Sequence, residues 1–257
     1  MTNVNNIDLT QYDINVLNQF HLDLEEFGIE LTEYQLKQFV RYYELLVEWN
    51  QVMNLTTITD FDSVFKKHFL DSLSIVKTKL LDEQVLQECP ISLIDIGTGA
   101  GFPGVPIKIL FPSIQVTLLD SLNKRIKFLD TIISELHLTD INTLHGRAED
   151  FAKPNLLREK YTFCVSRAVS NLSTLAEYCI PYVKRGGYFI SYKTEKATTE
   201  LVDSRKAIHL LGGKVFEQID FHLPNSNQQR TLVVIKKVET THKIYPRKAG
   251  LPLKNPL

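Results

Sequence analysis

Cysteine is scarce in this chain. Cys89, Cys164 and Cys179 stand far apart with no CxxC pair, which excludes a disulfide framework and gives no zinc-site spacing; the pattern fits a reducing cytoplasm. No apolar run reaches the roughly eighteen residues of a membrane span, and no basic leader followed by an apolar segment opens the chain. The expectation is a cytoplasmic protein with no membrane partner. Positive charge is missing from the first 36 residues, which hold Asp8, Asp13, Asp23, Glu25, Glu26, Glu30 and Glu33 but neither Lys nor Arg. Negative charge is missing after Glu239. All 29 basic residues therefore lie beyond the acidic arm, against 23 of the 30 acids, so the overall charge of −1 hides a basic body compatible with a polyanionic partner. A solvated helix face explains the acidic arm equally well.

The remaining composition, 44% hydrophobic and 23% charged over 257 residues, is that of one large domain or a domain with an extension. The stretch around which it is organised is Ile91 to Gly104, ISLIDIGTGAGFPG. Leu93, Ile94 and Ile96 make a nearly continuous apolar strand, as expected where both faces of a parallel sheet are covered. Gly97, Gly99, Gly101 and Gly104 then free the backbone to take positive φ and to let a ligand approach the main chain. A turn serving only the fold is the competing reading.

Upstream, Leu31 to Asn50 places Tyr34, Leu36, Phe39, Val40, Tyr43, Leu46 and Val47 at helical spacing behind Thr32 as N-cap, and a second helix runs from Asp62 to about Leu80. On that helix His68, Asp71 and Ser72 fall close to one face, either as a polar edge toward a substrate or as a pair at a helix junction. Downstream, strands are expected at Gln115 to Asp120, Ile141 to Gly146, Tyr161 to Ala168 and Gly187 to Lys193, alternating with helices at Asn123 to Leu136, Asn171 to Tyr182 and Thr194 to Leu211. Two last strands, Lys214 to Leu223 and Gln229 to Val238, are joined by Pro224-Asn225-Ser226-Asn227, so the final strand should run antiparallel. The tail from His242 carries Lys243, Arg247, Lys248 and Lys254 and reads as extended and polyanion-seeking, or as disordered. The divisions are a helical extension over 1–90, an α/β core over 91–240 and a basic tail over 241–257.

Gly99-Ala-Gly101-Phe-Pro-Gly104 matches GxGxxG, and Asp120 ends the second strand where a ribose-binding acid belongs. An acceptor-only carboxylate suits both hydroxyls of an adenosine ribose, in NAD or in S-adenosylmethionine. The loop's early start at Gly97 behind the strand acid Asp95, the Gly146-Arg147-Ala148-Glu149-Asp150 turn, where the loop can contact an adenine edge, and the terminal hairpin favour S-adenosylmethionine. A dehydrogenase would also need a catalytic group and a substrate half that are not found.

DIGTGAGFPG, LLDSLNKR, RAEDF, SRAV, HFLDSL and the ending KIYPRKAGLPLKNPL together resemble the ribosomal RNA small subunit methyltransferase G family, also called glucose-inhibited division protein B. The resemblance covers nearly the whole chain. It implies a class I methyltransferase with a Rossmann-like, mostly parallel α/β sheet, using S-adenosylmethionine to methylate guanine N7 in bacterial 16S rRNA. The family's cofactor contacts fall on Gly97, Phe102, Ala148, Glu149 and Arg167; the loop and strand readings add Gly99, Gly101 and Asp120. RNA contact is expected from Arg125, Lys193, Arg230, Arg247 and Lys248, with His68 and Asp71 near the target base. The partner is 16S rRNA or the small ribosomal subunit, bound by a monomer. The rival readings are a nicotinamide oxidoreductase and a non-catalytic RNA-binding assembly factor.

Guanine N7 carries an unprotonated lone pair, so its methylation needs no general base. The sequence offers no [DNS]PP[YFW] run for an exocyclic amine. Cys89-Pro90 precedes the first strand, far from where a pyrimidine nucleophile should lie, and Cys164 reads as core. No metal site is expected.

Overall fold

A computed structural model describes residues 4–81, 91–167, 170–195 and 197–257. Its frame is a seven-stranded sheet of β1 (Ser92–Ile96), β2 (Gln115–Asp120), β3 (Ile141–His145), β4 (Tyr161–Arg167), β5 (Val183–Lys193), β6 (Gly213–His222) and β7 (Gln229–Lys237). The spatial order is β3-β2-β1-β4-β5-β7-β6. The first five strands are parallel, and β7 runs antiparallel to both β5 and β6. Strand order reverses between β1 and β4, which opens a crevice at their carboxyl ends, the usual ligand position in such sheets.

Alternation along the strands divides the core in two. Leu93, Val116, Leu118 and Val165 pack with the N-terminal helices, whereas Ile94, Ile96, Leu119 and Cys164 pack with the helices after β4. The N-terminal part therefore shares a core with the sheet: Val4, Leu17 and Phe20, from the acidic arm, are buried in the first cluster. Cys164 is fully buried, as a core cysteine should be; Cys89 and Pro90 lie outside the described residues.

The longer helices among the described residues are α1 (Ile14–Glu26), α2 (Glu33–Met53), α3 (Gly104–Leu110), α4 (Asn123–Glu135), α5 (Leu172–Cys179) and α6 (Ala197–Leu210). Thr32 caps α2 in a reciprocal box: its Oγ accepts from the Gln35 amide at 3.2 Å, and the Gln35 side chain accepts from the Thr32 amide at 2.9 Å. The buried stripe of α2 differs from the expected one. Tyr42 is fully buried beside Phe39 and Leu46, and Tyr34 is 39% exposed.

The helix expected from Asp62 to Leu80 is not uniform. It begins as α-helix at Phe61–Val64, widens to a π-turn over Phe65–Leu70, returns to α at Asp71–Leu73 and tightens to 3-10 at Ser74–Thr78. The wide turn carries Lys67 and His68, a placement common for functional residues.

The expected tail is corrected. It leaves β7, which lies inside the sheet, while β6 forms the edge. Rather than standing extended, it folds back on the body: Arg158, ahead of β4, donates to the Tyr245 carbonyl at 2.7 Å, and Thr174 Oγ1, on the helix after β4, to the Pro252 carbonyl at 3.2 Å. No helix among the described residues is long and apolar enough to cross a membrane.

Candidate active site

The glycine loop is shaped by steric demand. Gly97, Gly99 and Gly101 take φ of +70°, +64° and +100°, a region that strains residues bearing a Cβ. At Gly101 a Cβ would stand 2.4 Å from Tyr42 Oη and 2.8 Å from Val105 Cγ2. Tyr42 holds this loop from α2, donating its hydroxyl to the Ala100 carbonyl at 2.5 Å while its ring stacks on Phe102 with centroids 5.4 Å apart. Beneath the loop, Asp95 Oδ2 accepts from Thr98 Oγ1 at 2.7 Å and from the Gly104 amide at 2.8 Å. Burial raises its carboxyl to about 7, against the lowering effect of those bonds.

Gly97, Gly99, Phe102, Asp120, Arg125, His68 and Arg167 surround one cavity of about 480 Å³. Asp120, 2% exposed, accepts from the Gly99 amide at 2.9 Å, the Leu122 amide at 2.9 Å and Arg125 Nη1 at 3.1 Å. A carboxylate has about four acceptor sites, so a ribose hydroxyl pair would have to displace the half-exposed Arg125. Phe102 is largely covered by the protein, with His68 stacked on it at 4.6 Å and the Arg167 guanidinium 5.0 Å from its centroid. Ala148 and Glu149 stand one loop further along the sheet. That loop starts beside Asp120, whose carbonyl accepts from the Gly146 amide at 3.0 Å.

A second cavity of about 560 Å³ shares His68 and Arg167 with the first. Its wall holds Lys67, Arg167, Lys193 and Arg230 against the acids Asp71 and Glu200, so cations prevail. The cations are arranged by ion pairs. Asp71, 6% exposed, accepts from Arg167 Nη1 at 3.1 Å and from Arg230 Nε at 3.0 Å. Lys193 pairs with Glu200 at 2.7 Å and donates to the Ser170 carbonyl at 2.6 Å. His68 has Nε2 at 2.9 Å from Thr56 Oγ1 and Nδ1 at 3.4 Å from Arg167 Nη2. Burial and the neighbouring Arg167 lower its pKa to about 3, so the imidazole is neutral and a poor proton acceptor.

The expected RNA contacts therefore separate. Arg230, Lys193 and His68 line the second cavity; Asp71 also lies there, buried as the anchor between two arginines. Arg125 belongs to the first cavity. Arg247 is committed to Glu177, with which it makes an ion pair at 2.6 Å, and only Lys248 of the expected tail pair is exposed. Nothing in the sequence alone singles out Tyr42, Tyr192 or Glu177. Tyr192 lines the second cavity and donates to the Ser72 carbonyl at 2.8 Å, yet a tyrosine in an apolar strand carries no sequence signal of such a task.

The family model for rRNA small subunit methyltransferase G matches residues 35–233. The chain belongs to that family. It is 51% identical over 234 residues to the ribosomal RNA small subunit methyltransferase G of Lachnoclostridium phytofermentans, covering 91% of this chain and 94% of the relative. It is 46% identical over 240 residues to that of Lactococcus lactis subsp. cremoris, covering 93% and 98%. Among solved structures, a glutamate-to-glutamine mutant of MtNAS superposes with a TM-score of 0.52 at 12% identity, over 92% of this chain and 84% of that one, a likeness of fold alone. The fold is the class I methyltransferase sheet with a helical N-terminal extension, and within this methyltransferase family the nicotinamide reading of the glycine loop is set aside.

Proposed function

We propose that this chain, acting as a monomer in the cytoplasm, transfers a methyl group from S-adenosylmethionine to guanine N7 in 16S rRNA. The observation that carries the proposal is the pair of cavities divided by a shared wall of His68 and Arg167. One side offers a glycine loop and a strand-end acid; the other offers a cationic wall suited to a nucleotide. The first fits the cofactor because Asp120 can accept from hydroxyls while Arg167 can face a carboxylate across the same cavity.

When bound, S-adenosylmethionine supplies a methyl already activated on a sulfonium. Asp120 would take the ribose as Arg125 moves aside, and Gly97 and Gly99 would let the ligand meet the main chain. Asp71 keeps Arg167 aimed at the wall between the cavities, while Tyr42 and His68 fix Phe102 from the N-terminal part. Alignment is then the protein's main contribution to rate. The chemistry agrees with N7: the residues in the wall give no free base, since burial and the neighbouring Arg167 hold the His68 imidazole well below its ordinary range, Asp71 is tied to two arginines and Glu200 accepts from Lys193 and the Leu172 amide. Guanine N7 requires none. Methyl transfer to 16S rRNA, followed by nucleoside analysis and base mapping, tests the reading. The expected product is 7-methylguanosine at one position; methyl on an exocyclic amine, on another base or on no RNA would refute it.

A further inference from the structure

The tail is held at points that converge on one carboxylate. Glu149, 6% exposed, lies in the first turn after β3, and its Oε1 accepts from the Gly250 amide at 2.8 Å. Three residues before Gly250, Arg247 grips Glu177: its amide and Nε reach Oε1 at 2.7 and 3.0 Å, and Nε and Nη2 reach Oε2 at 3.0 and 2.6 Å. Two residues after Gly250, the Pro252 carbonyl accepts from Thr174 Oγ1. Thr174 and Glu177 are three apart on α5, so they share a face. Gly250 is thus pinned from both sides to a single helix face. Its φ of +82° suits the turn that aims its amide at Glu149.

We propose that the C-terminal tail is a positioning strap for the adenine end of the cofactor site. The inference rests on the reading of Glu149 as a cofactor contact. A buried carboxylate must be met by donors, and the tail supplies one of those that hold Glu149 in place. The Gly250 amide satisfies one oxygen of Glu149 and orients the group, leaving acceptor capacity for a ligand. From the other side, Tyr182 Oη donates to the Ala148 carbonyl at 2.5 Å, so the Ala148-Glu149 pair is fixed between β5's approach and the tail. Arg247 and Glu177 are positioning residues that touch no cofactor atom; they act by setting where Gly250 stands.

Calorimetry on the full chain tests the strap, with S-adenosylhomocysteine and 5′-methylthioadenosine as probes and an Arg247→Ala variant. Both ligands keep the adenosine, so both should bind about tenfold more weakly, as when a charged acceptor loses a donor. KM for S-adenosylmethionine should rise with little change in kcat, the salt dependence of RNA binding should stay, and Arg247→Lys should recover part of the affinity. If Arg247→Ala does not fold, Glu177→Gln, which weakens the same clamp, must show the same split. Unaltered ligand affinity in a folded variant overturns the strap. So does weaker RNA binding with a flatter salt slope and unchanged cofactor affinity, which would make the tail an RNA arm. Glu149→Gln separates the two readings: if it binds both ligands like the parent, the cofactor role of Glu149 fails and the strap fails with it, whereas a loss there beside an intact Arg247→Ala removes the strap alone.

Discussion

Replacing Tyr42 with phenylalanine removes one oxygen from the point where the N-terminal helices grip the glycine loop. That oxygen donates to the Ala100 carbonyl at 2.5 Å; Tyr42 is fully buried and Ala100 is 5% exposed. The ring and its stacking on Phe102 remain, so the loss isolates the hydrogen bond. Leaving a buried carbonyl without its donor costs about 1–3 kcal/mol. The same oxygen is the atom nearest to a Cβ added at Gly101, at 2.4 Å, ahead of Val105 Cγ2 at 2.8 Å. Gly101→Ala should therefore destabilise by about 2–5 kcal/mol through overpacking and the strained φ of +100°. In the Tyr42→Phe background the worst clash disappears, although Val105 and the backbone strain persist. The double variant should accordingly be more stable than the sum of the single effects by about 1 kcal/mol or more. Urea unfolding of the parent, both single variants and the double variant measures all four corners of the cycle. A Tyr42→Phe loss under about 0.5 kcal/mol, or strict additivity at the double variant, would refute the picture of Tyr42 as the clamp on this loop.

Asp120→Ala should weaken S-adenosylmethionine binding by about 1.5–3 kcal/mol through loss of hydrogen bonds to a charged acceptor, with RNA binding retained; calorimetry giving unchanged cofactor affinity would remove Asp120 from the site. Gly99→Val places a β-branched residue at φ +64° and should abolish cofactor binding, so a variant that melts and binds like the parent sinks the loop assignment. Asp95 gives a pH test: burial raises its folded carboxyl to about 7, so between about pH 4 and 7 the folded chain holds a proton that the unfolded chain has released. Stability should fall as pH climbs through that window and level off above it, by an amount on the order of 4 kcal/mol at about 1.4 kcal/mol per pKa unit; Asp95→Asn should flatten the decline, and equal slopes would contradict it. Neutralising Lys67 and Lys193 together, both in the second cavity, should weaken RNA binding and reduce its log–log salt slope by about 0.7 for each single-strand phosphate that is no longer neutralised. An identical slope would leave these lysines as solvated wall.

The sequence by itself determined the local grammar of this protein. Thr32 announced a capped helix, the apolar run before Gly97 announced a buried parallel strand, and Pro224 to Asn227 announced the turn that makes the last strand antiparallel. Each depends on neighbours a few residues apart, where backbone sterics and side-chain period act directly. What only the tertiary structure decided were the partners of charges. Asp71 meets Arg167 and Arg230 across separations of 96 and 159 residues, and Arg247 meets Glu177 across 70; a cation read as free in the sequence is committed once the sheet brings an acid beside it. The insertion of β7 between β5 and β6 and the return of the tail onto α5 belong to the same class. So does the choice of Tyr42 over Tyr43 as the fully buried ring, because one residue along a helix turns a side chain by about 100°, and which of the two faces the loop depends on how α2 docks against it.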